Sequence, residues 1–134
     1  MEKGFIISGL FIDETPSMGR GVFTSRSIDN GTVVEVSPVV VMSAFERANL
    51  DLTRLHDYIF EWGEPVSGEK QCCMALGYVA VYNHSYKSNC EYEMDVDAEL
   101  IRVKAVRDIA AGEELFINYN GDWDDEKPVW FETK

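Results

Sequence analysis

The sequence predicts one mainly β domain. Short apolar runs of strand length recur about every 8–12 residues, and turn-forming residues separate them. Only one segment carries a clear signal for the start of a helix. This pattern indicates small sheets rather than alternating strands and helices, and a length of 134 residues corresponds to a single domain.

The first third of the chain contains four predicted strands, at residues 5–12, 21–24, 33–36 and 39–42. Asp29-Asn30-Gly31 is a strong turn signal between the second and the third. Ser43 and Glu46 match a capping box, in which Ser43 is the N-cap and Glu46 stands three residues later. A short helix is therefore expected from residue 44 to about residue 50.

Further strands are predicted at residues 58–62, 91–94, 101–106 and 115–119. Residues 75–82 are apolar without a decisive period, so a buried helix and a strand both remain open. Segments 26–34 and 107–115 resemble each other, because each has a basic residue, an isoleucine and a glycine turn before an apolar strand. We interpret them as two copies of one strand–turn–strand unit.

The balance of acidic and basic residues limits the classes of partner that the protein is expected to bind. Twenty-four acidic residues against twelve basic ones give a net charge of −12. This disfavours direct binding to nucleic acid phosphates and favours basic partners such as histone tails, DNA-packaging proteins or ribosomal proteins. A charge that only prevents aggregation is the alternative. No apolar stretch reaches the length of a membrane span, and the N-terminus lacks signal-peptide features, so we expect an intracellular protein, cytoplasmic or nuclear.

The cysteines and histidines do not predict a metal site. Cys72 and Cys73 are adjacent, Cys90 stands apart, and an odd number of cysteines does not form a disulfide framework. The two histidines, His56 and His84, have no pair spacing typical of zinc ligands. We expect buried free thiols and no metal.

Three short motifs carry the functional signal. Gly19-Arg20-Gly21 lacks the further residues of a nucleotide-binding loop, so it is either a turn before a strand or a close approach of the backbone to another group. Asn83-His84-Ser85, followed by Asn89, offers amide and imidazole groups either to a heterocycle or to nearby backbone. Residues 114–121 read as a strand that ends near Tyr119 and is followed by a turn.

In this order and spacing, the three motifs resemble the signature segments of the SET domain, the protein-lysine methyltransferase fold. The resemblance covers about residues 4–131, so we expect a single SET domain over 1–134 without a zinc domain before or after it. The chain is similar to minimal, stand-alone viral and bacterial members of this family. The resemblance implies a β-clip-like fold of small sheets and a few short helices, with a C-terminal segment threaded through a loop like a knot.

The resemblance also implies S-adenosylmethionine as methyl donor, with S-adenosylhomocysteine as its product. On the family's pattern, the backbone around Arg20 and Gly21 lies along the methionine part of this cofactor. Asn83 and His84 hold the cofactor, with the backbone of His84 at the adenine. Tyr119 lies where the methyl group is transferred.

Aromatic residues are expected to complete the site. Trp130 would stack on the adenine, and Tyr58, Tyr119 and Trp123 would line the substrate channel. Trp123 stands at the family's Tyr/Phe switch, so a large ring pointing inward would favour monomethylation. Tyr86 replaces a frequent family cysteine and the tail has none, so segment 123–131 is expected to close the channel in place of a zinc-binding tail. Minimal forms can also pair as homodimers to complete the groove.

The leading interpretation is an enzyme that transfers a methyl group to the ε-amine of a lysine in a basic protein, such as a histone or a histone-like protein. The alternative is a non-catalytic SET-like module that binds a basic peptide or the cofactor. Such a module need not keep Tyr119, Asn83 and His84. A purely structural acidic protein would bind no cofactor at all.

Overall fold

The computed structural model of the protein describes residues 2–119. Within this range the chain forms ten strands, one α-helix and one 3-10 helix. In chain order they are β1 (Phe5–Ile6), β2 (Leu10–Glu14), β3 (Arg20–Thr24), β4 (Val33–Met42), α1 (Ala44–Leu50), the 3-10 helix (Arg54–Tyr58), β5 (Phe60–Val66), β6 (Glu69–Ala75), β7 (Asn83–His84), β8 (Cys90–Asp95), β9 (Leu100–Ala105) and β10 (Glu114–Ile117).

The strands form two sheets, which confirms the predicted mainly β class. The larger sheet has the order β5-β6-β4-β9-β8, with β1 added to β4. The smaller sheet has the order β2-β3-β10-β7. Every named pair is antiparallel except β10 with β7, which is parallel. No helix of the described part is long and apolar enough to cross a membrane.

Strand β4 is continuous, so the predicted interruption between residues 36 and 39 is wrong. Its first half pairs with β9 as far as Pro38, and its second half pairs with β6 from Val39 onwards. Pro38 therefore lies where the strand changes its partner. A proline lacks the N–H that a sheet interior requires, and this changeover tolerates the loss.

The predicted first strand at residues 5–12 is also wrong, because it is two strands. Gly9 separates them with a φ of 96°, which is a conformation that residues with a Cβ rarely adopt. The carbonyl oxygen of Gly9 accepts a hydrogen bond from the N–H of Ser25 at 2.8 Å. The break separates β1, which pairs with β4 in the larger sheet, from β2, which pairs with β3 in the smaller sheet.

The middle of the chain departs furthest from the predictions. Tyr58 ends the 3-10 helix instead of starting a strand, and β5 begins at Phe60. Strand β6 was missed, because its polar first residues hide the buried Cys72 and Cys73. Residues 76–82, left open between helix and strand, form turns.

Several local predictions are confirmed. In α1 the side chain of Ser43 accepts from the N–H of Glu46, and the Glu46 carboxylate accepts from the N–H of Ser43. The turn at residues 29–31 places Gly31 at a φ of 88°. All three cysteines are free and buried, and burial raises the pKa of Cys73 and of Cys90 to about 12.

The two similar segments meet in the core. Ile28 and Ile109 exchange backbone hydrogen bonds at 2.8 Å in both directions, as an isolated antiparallel bridge. Both side chains are buried among the apolar residues of the two sheets. The bridge joins the segment before β4, in the larger sheet, to the segment before β10, in the smaller sheet.

Candidate active site

Strands β7 and β10 bring the second and third motifs side by side. Asn83 pairs with Phe116 and His84 pairs with Ile117 in parallel register. The N–H of Ser85 continues this ladder by donating to the carbonyl oxygen of Ile117 at 3.1 Å. Residues separated by more than thirty positions in sequence thereby form one surface.

Asn89 clamps the same strand with its side chain. Its Nδ2 donates to the carbonyl oxygen of Glu114 at 2.9 Å, and its Oδ1 accepts from the N–H of Phe116 at 2.8 Å. The amide replaces a neighbouring strand as the hydrogen-bonding partner, and Asn89 is buried. This explains why an asparagine stands at this position.

The side chain of Asn83 has a fixed orientation. Its Nδ2 donates to the carbonyl oxygen of Arg20 at 3.1 Å and to Oε2 of Glu114 at 2.8 Å. Both partners are acceptors, so the NH₂ group must face them, and both of its hydrogens are used. The side-chain oxygen of Asn83, Oδ1, then remains as an acceptor for a ligand that donates a hydrogen bond, such as an ammonium group.

Gly21 allows this network to form. A Cβ added at Gly21 would collide with Oε2 of Glu114 and would lie 3.0 Å from Nδ2 of Asn83. Only a glycine lets β3 approach the Asn83–Glu114 pair this closely. The glycine of the first motif is therefore required by a close contact, as one of its two sequence interpretations proposed.

The imidazole of His84 faces Tyr119. Its Nδ1 accepts from the backbone N–H of Tyr119 at 3.0 Å, which places the hydrogen of a neutral ring on Nε2. The ring centroids of His84 and Tyr119 lie 5.1 Å apart at an interplanar angle of 50°, and the ring of Tyr86 is nearly perpendicular to that of His84 at a centroid distance of 4.4 Å. The histidine side chain thus supports the tyrosine from within the protein.

Hydrogen bonds hold both the side chain and the backbone of Tyr119. Its hydroxyl donates to the backbone carbonyl oxygen of Tyr82 at 2.8 Å, and its backbone carbonyl oxygen accepts from the hydroxyl of Tyr92 at 3.2 Å. Burial raises the pKa of Tyr119 to about 12. Tyr119 is therefore neutral at physiological pH and can donate or accept a hydrogen bond but not supply a phenolate.

Two cavities meet at Tyr119. The larger has a volume of about 560 Å³ and the smaller about 430 Å³. Three residues, Asp57, Ala80 and Tyr119, line both. The site is therefore built as two chambers that share a wall, with the tyrosine at their junction.

Residues of the first two motifs, Gly19, Arg20 and Asn83, line the smaller cavity. Its polar lining is Arg20, Asn83, Glu14 and Asp57, so it offers one cationic and two anionic side chains beside an amide. Its apolar part comes from Met18 and Val81, together with Ala80, Tyr58 and Tyr119.

The larger cavity combines apolar walls with an acidic rim. Its acidic residues are Asp51, Asp57 and Glu61. Asp51 accepts from the imidazole of His56 at 2.8 Å, and Arg47 lies 3.9 Å from Glu61. Asp57 forms no ion pair with any other residue between 2 and 119. The apolar walls come from Ile59, Phe60, Val79, Ala80, Tyr92, Met94 and Tyr119.

Most of the predicted site residues come together here. Arg20, Asn83 and Tyr119 line the smaller cavity, and Gly21 and His84 support them from behind. Tyr58 also lines the smaller cavity rather than the larger one. Trp123 and Trp130, and the threading of the C-terminal segment, lie outside the described residues.

The sequence reasoning missed Asp57, Glu114 and Tyr82 as parts of the site. Glu114 belongs to the third motif, and a charged residue at the start of an apolar strand was the sequence signal that could have identified it. Asp57 and Tyr82 come from a 3-10 helix and a turn whose placement depends on tertiary structure. Within residues 2–119, no group of three His, Cys, Asp or Glu side chains is arranged to hold a metal ion.

Comparison with known proteins decides the family. The family described as "SET domain" matches residues 19–120, a span that contains the first two motifs and residues 114–120 of the third. The chain belongs to the SET-domain family. This also makes the chain an enzyme of the protein-lysine N-methyltransferase class, as the sequence predicted.

Three relatives place this SET domain more closely. A Schizosaccharomyces pombe protein named "Histone-lysine N-methyltransferase, H3 lysine-37 specific" is 34% identical over 130 residues, which are 96% of this chain and 81% of that protein. The Halocynthia roretzi "Histone-lysine N-methyltransferase SETD7" is 24% identical over 136 aligned positions, 89% of this chain and 35% of that protein. The crystal structure of a Plasmodium falciparum candidate histone methyltransferase has a TM-score of 0.65 and 27% identity, and covers 88% of this SET domain and 98% of that chain.

Proposed function

We propose that this SET domain transfers the methyl group of S-adenosylmethionine to the ε-amine of a lysine in a basic protein, such as a histone. The observation that carries the proposal is the pair of cavities that meet at Tyr119. A transferase with two substrates needs two binding sites that converge on one point. Holding both reactants at that point supplies several kcal/mol towards the barrier, and about 7–11 kcal/mol in the best cases.

The smaller cavity fits the cofactor. Its volume of about 430 Å³ is typical of a small-molecule site, which ranges over about 300–1,000 Å³. The methionine part of S-adenosylmethionine carries an ammonium and a carboxylate. Glu14 and Oδ1 of Asn83 would accept hydrogen bonds from the ammonium, and Arg20 would pair with the carboxylate. When bound, the cofactor supplies an electrophilic methyl group on a sulfonium.

The larger cavity fits the substrate lysine. Its acidic rim includes Asp57, which has no ion-pair partner among residues 2–119, and attracts a cationic side chain and its basic neighbours in sequence. Its apolar walls, which include Phe60 and Tyr92, would hold the alkyl stem of the lysine. The net charge of −12 extends this attraction to the whole substrate protein.

The chemical difficulty lies in the amine. A free lysine has a pKa of about 10.4, so only about 0.1% is neutral at pH 7.4. Burial between the apolar walls would lower the pKa of the amine, and so would the positive charge of the bound sulfonium, while the carboxylate of Asp57 acts in the opposite direction. Tyr119, held neutral with its hydroxyl on the carbonyl of Tyr82, would orient the amine rather than remove its proton.

Further parts of the proposal rest on the resemblance to the family. The names of the two curated relatives support a histone as substrate, which would place the protein in the nucleus. Trp130 at the adenine and Trp123 as a limit on the number of methyl groups stay predictions. Tyr58 lines the smaller cavity, where it would contact the cofactor. Its role in the substrate channel also stays a prediction.

Two exposed apolar side chains support a homodimer, the arrangement that minimal forms of the family can adopt. Phe45 and Leu52, in and just after α1, are 79% and 86% exposed, the highest exposed fractions of any large apolar side chain among residues 2–119. A second copy that covered them would also lie beside the larger cavity, whose lining includes Arg47 and Asp51. Light scattering after size-exclusion chromatography tests this, with twice 15.2 kDa expected and 15.2 kDa contradicting it.

Methyl transfer itself is tested with isotopically labelled S-adenosylmethionine and purified core histones, followed by mass spectrometry of the labelled residues. The proposal expects label on lysine with the wild-type protein and a large loss with Tyr119→Phe. Binding of S-adenosylhomocysteine, measured by calorimetry, separates the alternative. A wild-type protein that binds the cofactor product but labels no lysine in histones or in whole-cell lysate would favour the non-catalytic module.

A further inference from the structure

Glu35 is a buried carboxyl group whose place in the fold needs an explanation. It lies on β4 between Val34 and Val36 and is fully buried. Within residues 2–119, no lysine or arginine forms an ion pair with it. Burying such a group is costly unless hydrogen bonds satisfy it, and a core strand would accept an apolar residue more cheaply.

Both oxygens of Glu35 bind the turn that follows β6. Oε2 accepts from the N–H of Tyr78 at 2.7 Å, and Oε1 accepts from the hydroxyl of Tyr82 at 2.9 Å. Desolvation raises the pKa of Glu35, and the bonds from Tyr78, Tyr82 and Val79 oppose that shift. The carboxyl group therefore fastens a segment that no strand ladder holds.

Gly77 lets this turn approach the carboxyl group. A Cβ added at Gly77 would collide with Oε2 of Glu35 and would lie 3.0 Å from the hydroxyl oxygen of Ser37. The turn at residues 77–82 is thus packed directly against the buried acid. Its sequence was ambiguous between helix and strand, and the contact with Glu35 gives it a third conformation.

The same turn forms the wall between the two cavities. Val79 and Ala80 line the larger cavity, and Ala80 and Val81 line the smaller one. At the end of the turn, the carbonyl oxygen of Tyr82 accepts the hydroxyl hydrogen of Tyr119 at 2.8 Å. Tyr82 therefore bonds to Glu35 through its side chain and to Tyr119 through its backbone.

We propose that Glu35 is a positioning residue, which fixes the hydroxyl of Tyr119 at the junction of the two cavities by anchoring Tyr82. The inference rests on the proposed methyl transfer, since Tyr119 is the group that it positions. Glu35 touches neither cavity and acts only through the turn. Loss of the anchor shifts the carbonyl of Tyr82, and a displacement of about 1 Å at a reacting site can cost up to about 100-fold in rate.

Tyr82→Phe tests the link, because it deletes the hydroxyl that bonds to Glu35 and keeps the ring and the backbone carbonyl. Tyr78→Phe is the matched control, because it deletes a hydroxyl in the same turn and keeps the N–H that bonds to Glu35. The single-turnover rate of methyl transfer is measured at saturating cofactor and peptide. We expect a fall of about tenfold in Tyr82→Phe and less than about twofold in Tyr78→Phe.

A double-mutant cycle with Tyr119→Phe separates positioning from general damage to the fold. If Tyr82 acts through the Tyr119 hydroxyl, Tyr82→Phe has little further effect once that hydroxyl is gone. An equal fall in both backgrounds, or no fall in the wild-type background, overturns the proposal. Where Tyr82→Phe does not fold, Glu35→Gln takes its place in the cycle, since the amide keeps the volume and one acceptor.

A spectroscopic measurement keeps this inference separate from the proposed function. With tyrosine labelled at the ring carbon that bears the hydroxyl, the NMR signal of Tyr119 is identified by its loss in Tyr119→Phe. We expect that signal to shift in Tyr82→Phe and to stay in place in Tyr78→Phe. An unmoved signal in Tyr82→Phe overturns the positioning role even if the protein methylates no lysine. A wild-type protein without transferase activity, by contrast, defeats only the proposed function.

Discussion

The hydroxyl of Tyr119 donates to the carbonyl oxygen of Tyr82 at 2.8 Å, and so the tyrosine of the third motif is fixed by a turn that precedes the second motif. This bond sets the phenol at the common wall of the two cavities. It also makes the chemistry of the site predictable, because a phenol that already donates its hydrogen cannot act as a base.

Activity should therefore rise with pH without a falling limb from Tyr119. The pKa of Tyr119 is raised to about 12, so its phenol stays neutral up to about pH 10, while the neutral fraction of the substrate amine grows. We expect the logarithm of kcat/KM to rise by about one per pH unit below the pKa of the lysine. A profile that bends downward between pH 8 and pH 10, in a protein shown by circular dichroism to stay folded, would contradict this.

Cofactor affinity should depend on the orientation of the Asn83 amide. Asn83→Asp replaces the donor with a carboxylate that faces both the Glu114 carboxylate and the carbonyl of Arg20. We expect the Kd of S-adenosylhomocysteine to rise at least about tenfold, which corresponds to about 1.4 kcal/mol. Asn30→Asp on the surface is the matched control, and calorimetry measures both. Equal affinities for the two variants would remove Asn83 from the cofactor site.

Recognition of a basic substrate should depend on Asp57. Its carboxylate borders both cavities and has no ion-pair partner among residues 2–119. For Asp57→Asn we expect the KM of a basic lysine peptide to rise about three- to tenfold and to depend less on salt. Asp97→Asn, in the exposed turn between β8 and β9, removes the same charge elsewhere. A similar rise in both variants would mean that only the net charge matters.

Stability should respond to pH through Glu35. Its pKa is raised above the ordinary value of 4.5, so the folded protein holds the proton more tightly than the unfolded chain does. The contribution of Glu35 to the free energy of unfolding therefore falls as pH rises from about 4.5 through the raised value. Urea unfolding of the wild type and of Glu35→Gln measures it, and the difference between them should shift in favour of the glutamine variant with rising pH. A difference that is constant over this range contradicts the assignment.

The free thiols should be inert in the folded protein. Cys73 and Cys90 are buried and have a pKa of about 12, and the pKa of Cys72 is also raised by desolvation. We expect slow labelling by iodoacetamide under native conditions and three labels per chain after unfolding, counted by mass spectrometry. Fast native labelling of any one thiol would identify a reactive cysteine.

Local chemistry explains which parts of the fold were predictable. The capping box at Ser43 and the turn at Gly31 depend on neighbouring residues, and both are present as predicted. Strand β4 was divided wrongly at Pro38, because the sequence does not reveal that the strand changes its partner there. The turn at residues 77–82 could not be assigned, because its conformation is set by Glu35, more than forty positions earlier.

The same contrast holds for the site. Gly21, Asn83 and Tyr119 were found because motif spacing carries them, and the structure brings them to one place. Asp57 was missed because a lone acidic residue in an acidic chain gives no signal. Its position between the cavities depends on how the 3-10 helix packs.

The most direct test of the central claim is a crystal structure of the protein with S-adenosylhomocysteine and a lysine peptide. The two-cavity account predicts the cofactor product in the chamber of Arg20 and Asn83, the lysine side chain in the chamber of Phe60 and Tyr92, and the lysine nitrogen facing the sulfur beside Tyr119. A cofactor in the larger cavity, or a lysine that does not reach Tyr119, would contradict the account.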